Sequence, residues 1–360
     1  MHLTNKNESL EIVMLGAGLD VMGGISSVEK LILDQGVSEV NLKHIATLQD
    51  VSLMRKILVF NKAIFHFVRI LLKGKVDLVH IHFSSRGSTF RTLILIIFVL
   101  VFRKPVVLHS HGSGFHLFYR QQSLWIQKII RYLFSKTNRI IVLSNSWKEF
   151  YVNNLDLEES KIAILPNPVK LPSQNKLNKS SSTVKFIFLG RIGERKGAFE
   201  LIKAYSRIPV QHRNIATLTL AGDGDADVAR NMVNDLNLAD KVTILDWINS
   251  RERDSLLTDS DVFVLPSHNE GLPMAMIEAM SFGLPVITTP VGGIPELITH
   301  EDNGILIEPG NIEELSSAMQ SLIENGNTRD SLGIKAEQSV ASLDIEKYCL
   351  SLKSVYQELV

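Results

Sequence analysis

Two carboxylates and three cations stand at turns in the second half of this 360-residue chain. Glu270 lies in Ser267-His268-Asn269-Glu270-Gly271-Leu272-Pro273, after the apolar run Val262–Leu265 and before the helix-period segment Met274–Ser281, with Glu278 eight residues further on. With Glu270 on the loop and Glu278 about a turn inside the helix, both can line one pocket. Backbone N–H groups at Gly271 and Leu272, together with the positive end of that helix, favour a phosphate. Pro273 suits the first helical turn, where a missing N–H costs nothing. Gly190-Arg191 follow the apolar run Lys185–Leu189, and Arg195-Lys196-Gly197 open the next helix. An Arg fork and a Lys point charge at a helix start are what a diphosphate requires. Taken singly, each of these features also fits an ordinary capped helix with solvated charges, and Glu-x7-Glu is common by chance.

Other chemistries are less well served. Cys349 is the one cysteine, so no internal disulfide forms and a reducing compartment, the cytosol, is expected. The chain has one cysteine and no His-x-x-x-His, so no metal site is expected. Gly16-Ala17-Gly18-Leu19-Asp20-Val21 lacks the third glycine of a dinucleotide fingerprint, and no matched acid follows the second strand, which argues against an oxidoreductase. His66, His116 and His212 read as satisfied or solvated side chains.

These residues need a frame. Strands are expected at Glu11–Leu15, Leu78–His82, Val106–His109, Ile140–Leu143, Lys185–Leu189, Thr217–Ala221, Lys241–Leu245, Val262–Leu265 and Pro285–Thr288, most followed by a turn and a helix-period segment. Repeated β-α units imply parallel, doubly wound sheets. Pro166-Asn167-Pro168 opens a stretch through Ser182 rich in Pro, Asn, Lys and Ser, which reads as a linker. The expected organisation is a Rossmann-like domain over 1–168, a linker over 169–183 and a second Rossmann-like domain over 184–344, with a last helix over 345–360 packing back on the first. Ligands of such sheets sit beyond the carboxyl ends of the strands, so a site in the cleft between two facing domains is expected.

The chain is 45% hydrophobic and 21% charged, with 38 Lys+Arg against 38 Asp+Glu, which excludes a disordered chain. The balance is uneven. From Lys43 to Lys148 there are 17 basic residues and two acids, Asp50 and Asp77, a net +15 that the remainder offsets with −15. Within that segment Leu53–Lys73 reads as a helix with a wide apolar face and a basic stripe at Arg55, Lys56, Lys62, His66, Arg69 and Lys73. A helix lying in an anionic membrane interface has this pattern, and so does a helix packed on a sheet with a solvated basic edge. No zinc-finger spacing or aromatic-basic RNA motif is present, so nucleic acid is not the expected anion. The polar N-terminus carries no signal pattern, and the run Thr92–Phe102 is about half the roughly 20 residues that span a bilayer. A buried helix is expected there, with no membrane anchor.

The ordered set Gly190-Arg191, Lys196-Gly197, Gly222-Asp223-Gly224, Pro266-Ser267, Glu270-Gly271, Glu278-Ala279 and Thr289-Pro290-Val291-Gly292-Gly293-Ile294-Pro295-Glu296 resembles retaining glycosyltransferases of family 4. The likeness runs from about Lys185 to Glu308. The first half resembles the family more loosely, through Gly23-Gly24-Ile25 before a helix, His111-Gly112 after a strand and Pro166-Asn167-Pro168. Val21-Met22 depart from the family, many of whose members carry Pro or another Gly there.

The resemblance implies the two-domain glycosyltransferase B fold and a set of roles. Arg191 and Lys196, with Gly190 beside them, would grip the diphosphate of a UDP- or GDP-linked sugar and stabilise the leaving nucleotide. Glu278 would hold the ribose hydroxyls and Glu270 the sugar hydroxyls, with backbone at Gly271 and Leu272 on the phosphates. Trp247 and Ile248 would meet the base. Gly23 and Gly24 would let backbone approach phosphate and acceptor, and His111 would sit near the reacting carbon, although His109 and His111 both end one strand. With Glu278 committed to the ribose, Glu270 has no partner for a glycosidase pair. The implied activity is retaining hexosyl transfer without a cofactor or metal, to a lipid-linked saccharide in bacterial surface polysaccharide assembly, on the inner face of the cell membrane. A nucleotide-sugar epimerase of the same fold would leave the +15 segment unexplained, and a non-catalytic scaffold would not need the four charged residues.

Overall fold

The computed structural model describes residues 9–172 and 183–360. The chain divides into two compact α/β units, one running to Pro168 and taking in Ile345–Val360, the other spanning Val169–Asp344. Of the Pro/Asn/Lys/Ser stretch expected as a linker, residues 173–182 lie outside the described ones.

The first unit runs β1 (Leu10–Ala17), α1 (Gly24–Gln35), β2 (Val40–Leu48), α2 (Leu53–Leu72), β3 (Leu78–Phe83), α3 (Gly87–Val101), β4 (Val106–Ser110), α4 (Phe115–Gln121), α5 (Leu124–Ser135), β5 (Arg139–Val142), α6 (Asn145–Leu155) and β6 (Ile162–Ile164). Its six strands pair in the order β2-β1-β3-β4-β5-β6, every neighbouring pair parallel. All residues of β3 and β4 are buried, as a central strand covered on both faces requires.

The second unit runs β7 (Val184–Leu189), α7 (Ala198–Arg207), α8 (Val210–Arg213), β8 (Ala216–Ala221), α9 (Ala226–Asp235), β9 (Val242–Leu245), α10 (Ser250–Asp259), β10 (Val262–Leu265), α11 (Met274–Ser281), β11 (Val286–Thr288), α12 (Ile294–Leu297), β12 (Ile305–Leu306), α13 (Ile312–Glu324) and α14 (Gly326–Val340). The sheet order is β12-β11-β10-β7-β8-β9, again all parallel. The last helix, α15 (Ile345–Gln357), belongs to the first unit. There Tyr356 meets His80, Lys353 pairs with Glu39 and Arg139 with Glu358.

All nine expected strands form, and three more do. β2 runs along the sheet edge with alternating exposure, and Asn41 and Lys43 on its open side hide it among polar residues. β6 and β12 are too short to carry a pattern. Pro273 is the cap before α11 rather than its first residue.

The helix expected over Leu53–Lys73 is α2, and it buries only Ala63, Phe67 and Leu71 in the first unit. Leu53, Met54, Ile57, Leu58, Phe65 and Leu72 are exposed, as are Trp125 on α5 and Val101 on α3. Arg69 sits over the Phe65 ring at 5.8 Å. No helix among the described residues is long and apolar enough to cross a membrane.

Candidate active site

In the second unit the loops after β7, β8 and β10 carry the cations and acids. Their contacts explain most of the glycines between them. The chain leaves β7 at Gly190 (φ 144°), and Gly222, after β8, packs so tightly on it that a Cβ there would stand 1.9 Å from the Gly190 carbonyl. Ile192 N–H donates to the Asp223 carbonyl (2.7 Å) and Asp225 N–H to that of Ile192 (2.9 Å), which locks the two turns together. Gly197, at φ 69°, lies where a Cβ would meet the Pro266 carbonyl at 2.1 Å. The loop after β10 is thereby seated against the start of α7. His268 N–H adds a bond to the Arg195 carbonyl (2.9 Å).

This seating brings Lys196 and Glu270 together, with Lys196 Nζ 2.5 Å from Glu270 Oε1. The same oxygen accepts from Ser267 Oγ at 2.9 Å and lies 3.9 Å from Arg195 Nη1, and Glu270 is buried. Arg195 Nη1 also donates to the Asn269 carbonyl (3.1 Å). Arg191 remains 61% exposed along its side chain, steered by Asp223 Oδ2 at 2.7 Å. Behind Glu270, Gly292 (φ 60°) approaches so closely that a Cβ would fall 2.0 Å from the Glu270 carbonyl, and Gly293 N–H donates to the Gly271 carbonyl (2.7 Å). Thr289 Oγ1 donates to the Ser267 carbonyl (2.6 Å), so the Thr289–Gly293 turn is a brace for the acidic loop. Gly271 and Leu272 are buried beside it.

Glu278 lies in α11, buried, with Arg253 of α10 donating to its Oε1 at 2.7 Å. Burial raises this carboxyl to about 7, with Arg253 pulling down and Asp254 pushing up by less. Trp247 is exposed and Ile248 half-buried on the segment after β9, where Asp246 pairs with Arg230 at 2.7 Å.

In the first unit Gly23 and Gly24 open α1. Gly23 holds φ 145° and ψ 167°, and a Cβ on it would meet nothing within 4 Å. The backbone conformation, not packing, calls for glycine there. Gly16 has a different purpose: a Cβ would stand 1.7 Å from Glu29 Oε1. The turn at Gly16 therefore makes room for a buried carboxylate from α1. Glu29 accepts from Ala17 N–H (3.3 Å), meets His44 Nε2 (3.3 Å) and lies 3.7 Å from His82 Nδ1. Burial raises its carboxyl.

His111 lies one residue past β4, half-buried, with Nε2 2.9 Å from His82 Nδ1. Burial pushes its imidazole down to about 3 against a hydrogen bond with Asn167, so it is neutral near pH 7. His109 is fully buried, which leaves His111 as the member of that pair with solvent contact. Gly112 is needed because a Cβ would press on the Ser84 backbone at 3.0 Å.

No metal site was expected from the sequence, whose motifs did not show that three histidines of this unit come together. His80, His82 and His109 bring one nitrogen each within 4.8 Å of one another. Two His-x-His pairs on separate strands have no metal spacing along the chain. Parallel pairing sets His82 opposite His109 and makes the cluster. Ser267, Asp223, Arg253 and Glu29 were also not singled out from sequence. An acid placed to hold a Gly-Arg arginine, as Asp223 in Gly222-Asp223-Gly224 is, was the available signal.

Two α/β units, each built on a six-stranded parallel sheet, define the glycosyltransferase B class of fold. The second unit matches the family model for glycosyl transferases group 1 over residues 170–339, and residues 35–171 match that for glycosyltransferase family 4. The chain belongs to this family and is an enzyme of the hexosyltransferase type. It is 31% identical over 275 residues, 72% of this chain and 69% of the relative, to the Escherichia coli UDP-Gal:alpha-D-GlcNAc-diphosphoundecaprenol alpha-1,3-galactosyltransferase. Sucrose-phosphate synthase from Thermosynechococcus elongatus shares the fold with a TM-score of 0.78 at 19% identity, over 97% of this chain and 99% of that one. HepE of Anabaena, solved with UDP-glucose, does so with a TM-score of 0.77 at 17% identity, over 97% and 100%.

Proposed function

We propose that the enzyme moves a hexose from a UDP-linked donor to a lipid-linked saccharide, with retention at the anomeric carbon, in assembly of a bacterial surface polysaccharide. The observation that carries this reading is the meeting of Lys196, Arg195 and Glu270 at the strand ends where α7 begins, with Arg191 projecting into solvent beside them.

Breaking a sugar–phosphate bond builds negative charge on the diphosphate and positive charge on the anomeric carbon. Preorganised cations at a helix start stabilise the first without reorganisation. Lys196 and Arg191 take that part, and no metal or cofactor is assigned a step. Glu270, whose Oε1 already holds the Lys196 ammonium and the Ser267 hydroxyl, is suited to orient sugar hydroxyls rather than to attack carbon. Gly190, Gly271 and Leu272 present backbone to the phosphates, Glu278 takes the ribose, and Trp247 and Ile248 take the base. His111, Gly23 and Gly24 keep the roles that the family resemblance implies for them.

UDP is favoured over GDP because the Escherichia coli relative is named for UDP-Gal and the Anabaena structure holds UDP-glucose. That relative's diphosphoundecaprenol acceptor supports a lipid-linked acceptor here. The exposed apolar and basic face of α2, within the +15 segment 43–148, supports peripheral docking on the anionic inner face of the cell membrane.

Thermal melting with UDP, GDP and ADP tests the donor. A rise with UDP that is lost in Lys196→Ala supports the reading, and a rise with none of the three opposes it. Proton NMR of the first-formed product reads its anomeric configuration, and inversion would overturn the retaining assignment.

A further inference from the structure

The first unit holds a group of side chains that the transfer reaction does not use. His80 and His82 of β3 and His109 of β4 share one face of the sheet and are all buried. The His80 and His109 rings stack at 5.4 Å between centroids and 6° between planes, and His82 lies 4.3 and 4.8 Å from them.

The hydrogen bonds around them follow a pattern. His80 Nδ1 is bonded to Tyr356 Oη (2.7 Å) and His82 Nδ1 to His111 Nε2 (2.9 Å). The Nε2 atoms of both, and both ring nitrogens of His109, are buried without a hydrogen-bond partner. Unpaired nitrogens are costly inside a protein, and four in one cluster are not explained by packing. A histidine that ligates a metal engages its second nitrogen with a neighbour and directs the first at the ion, as His80 and His82 do here.

We propose that His80, His82 and His109 form a buried site for a borderline divalent cation, zinc in the first instance. Imidazole ligands suit zinc, copper and nickel far better than calcium or magnesium. Nitrogens bound to one tetrahedral ion stand roughly 3.3 Å apart, so modest ring rotations close the set from its present spacing within 4.8 Å. The Glu29 carboxyl lies 3.7 Å from His82 Nδ1. The ion's place is structural, tying β3 to β4 directly beneath His111, and it does not depend on the donor reading.

Tag-free full-length protein, from zinc-supplemented cells and purified without chelator, is dialysed into metal-free buffer and assayed by mass spectrometry for total metal. About one ion per chain is expected. Chelation should lower the melting temperature, and Co2+ added to the stripped protein should produce the visible absorption of imidazole-bound cobalt at low coordination number. His109→Gln and His82→Phe should each weaken Co2+ binding roughly tenfold or more with the circular dichroism unchanged. If the variants do not fold, the wild-type titration decides. Wild-type protein that holds only trace metal as purified and gives no cobalt spectrum overturns the proposal, as does an unaltered cobalt spectrum in the folded variants.

Discussion

Lys196 Nζ and Glu270 Oε1 lie 2.5 Å apart, 74 residues from one another in sequence, with both side chains largely out of water. Removing one partner of a buried pair strands the other, at a cost of about 3–5 kcal/mol. Lys196→Met should therefore lower unfolding stability by about that amount. The double variant with Glu270→Gln should recover much of it, because no buried charge is left alone. UDP affinity, read by calorimetry, should stay lost in both. A double variant that binds UDP like the wild type would remove Lys196 from the diphosphate site.

Glu278 titrates near pH 7 because it is buried. Ribose hydroxyls donate more strongly to the carboxylate than to the neutral acid, so UDP affinity should fall as pH drops through 7. The stability effect runs the other way. A carboxyl raised above its ordinary value of 4.5 takes up protons on folding, so its contribution is full below 4.5 and is lost as pH rises through about 7. Glu278→Gln should flatten both profiles and weaken UDP at high pH. Unchanged pH dependence of UDP binding in that variant would exclude the ribose role.

Gly292 supports Glu270 from behind. Gly292→Ala meets a positive φ of 60° and a contact of 2.0 Å with the Glu270 carbonyl. The strain costs about 1–3 kcal/mol and shifts the acidic loop, so melting temperature and UDP affinity should fall together. A lower melting temperature with unchanged affinity would show that the Thr289–Gly293 turn supports the fold and not the site.

The α2 face makes a prediction about lipid. Lys62, Arg69 and Lys73 are exposed, and each basic residue near an anionic surface contributes about 1 kcal/mol. Replacing the three with Ser should weaken binding to phosphatidylglycerol vesicles by roughly a hundredfold. Leu53, Leu58 and Phe65 replaced with Ser should weaken it in a way that added salt does not change. Vesicle binding equal to wild type in both variants would remove α2 from membrane docking.

How much of this was legible without coordinates depends on where the information sits in the chain. Eight of the nine readable strands lie inside their sheets, where buried parallel strands are short continuous apolar runs, and the ninth, β9, is an edge strand that keeps such a run. The edge strand β2 was not readable, because Asn41 and Lys43 face solvent and break the run. Arg191, Lys196, Glu270 and Glu278 could be picked out because each follows a strand end or opens a helix, and local chain direction alone sets that placement.

Pairing across the sheet is another matter. That Lys196 spends its charge on Glu270, that Asp223 steers Arg191, and that Gly16 makes way for Glu29 depend on which loops the strand order brings side by side. The order β12-β11-β10-β7-β8-β9 places β10 beside β7 although two strands separate them in the chain, and no local propensity encodes that adjacency. The histidine cluster is the plainest case. Each His-x-His is an unremarkable strand pattern, and only the parallel register of β3 and β4, set by burial of whole strands, turns the two pairs into one group.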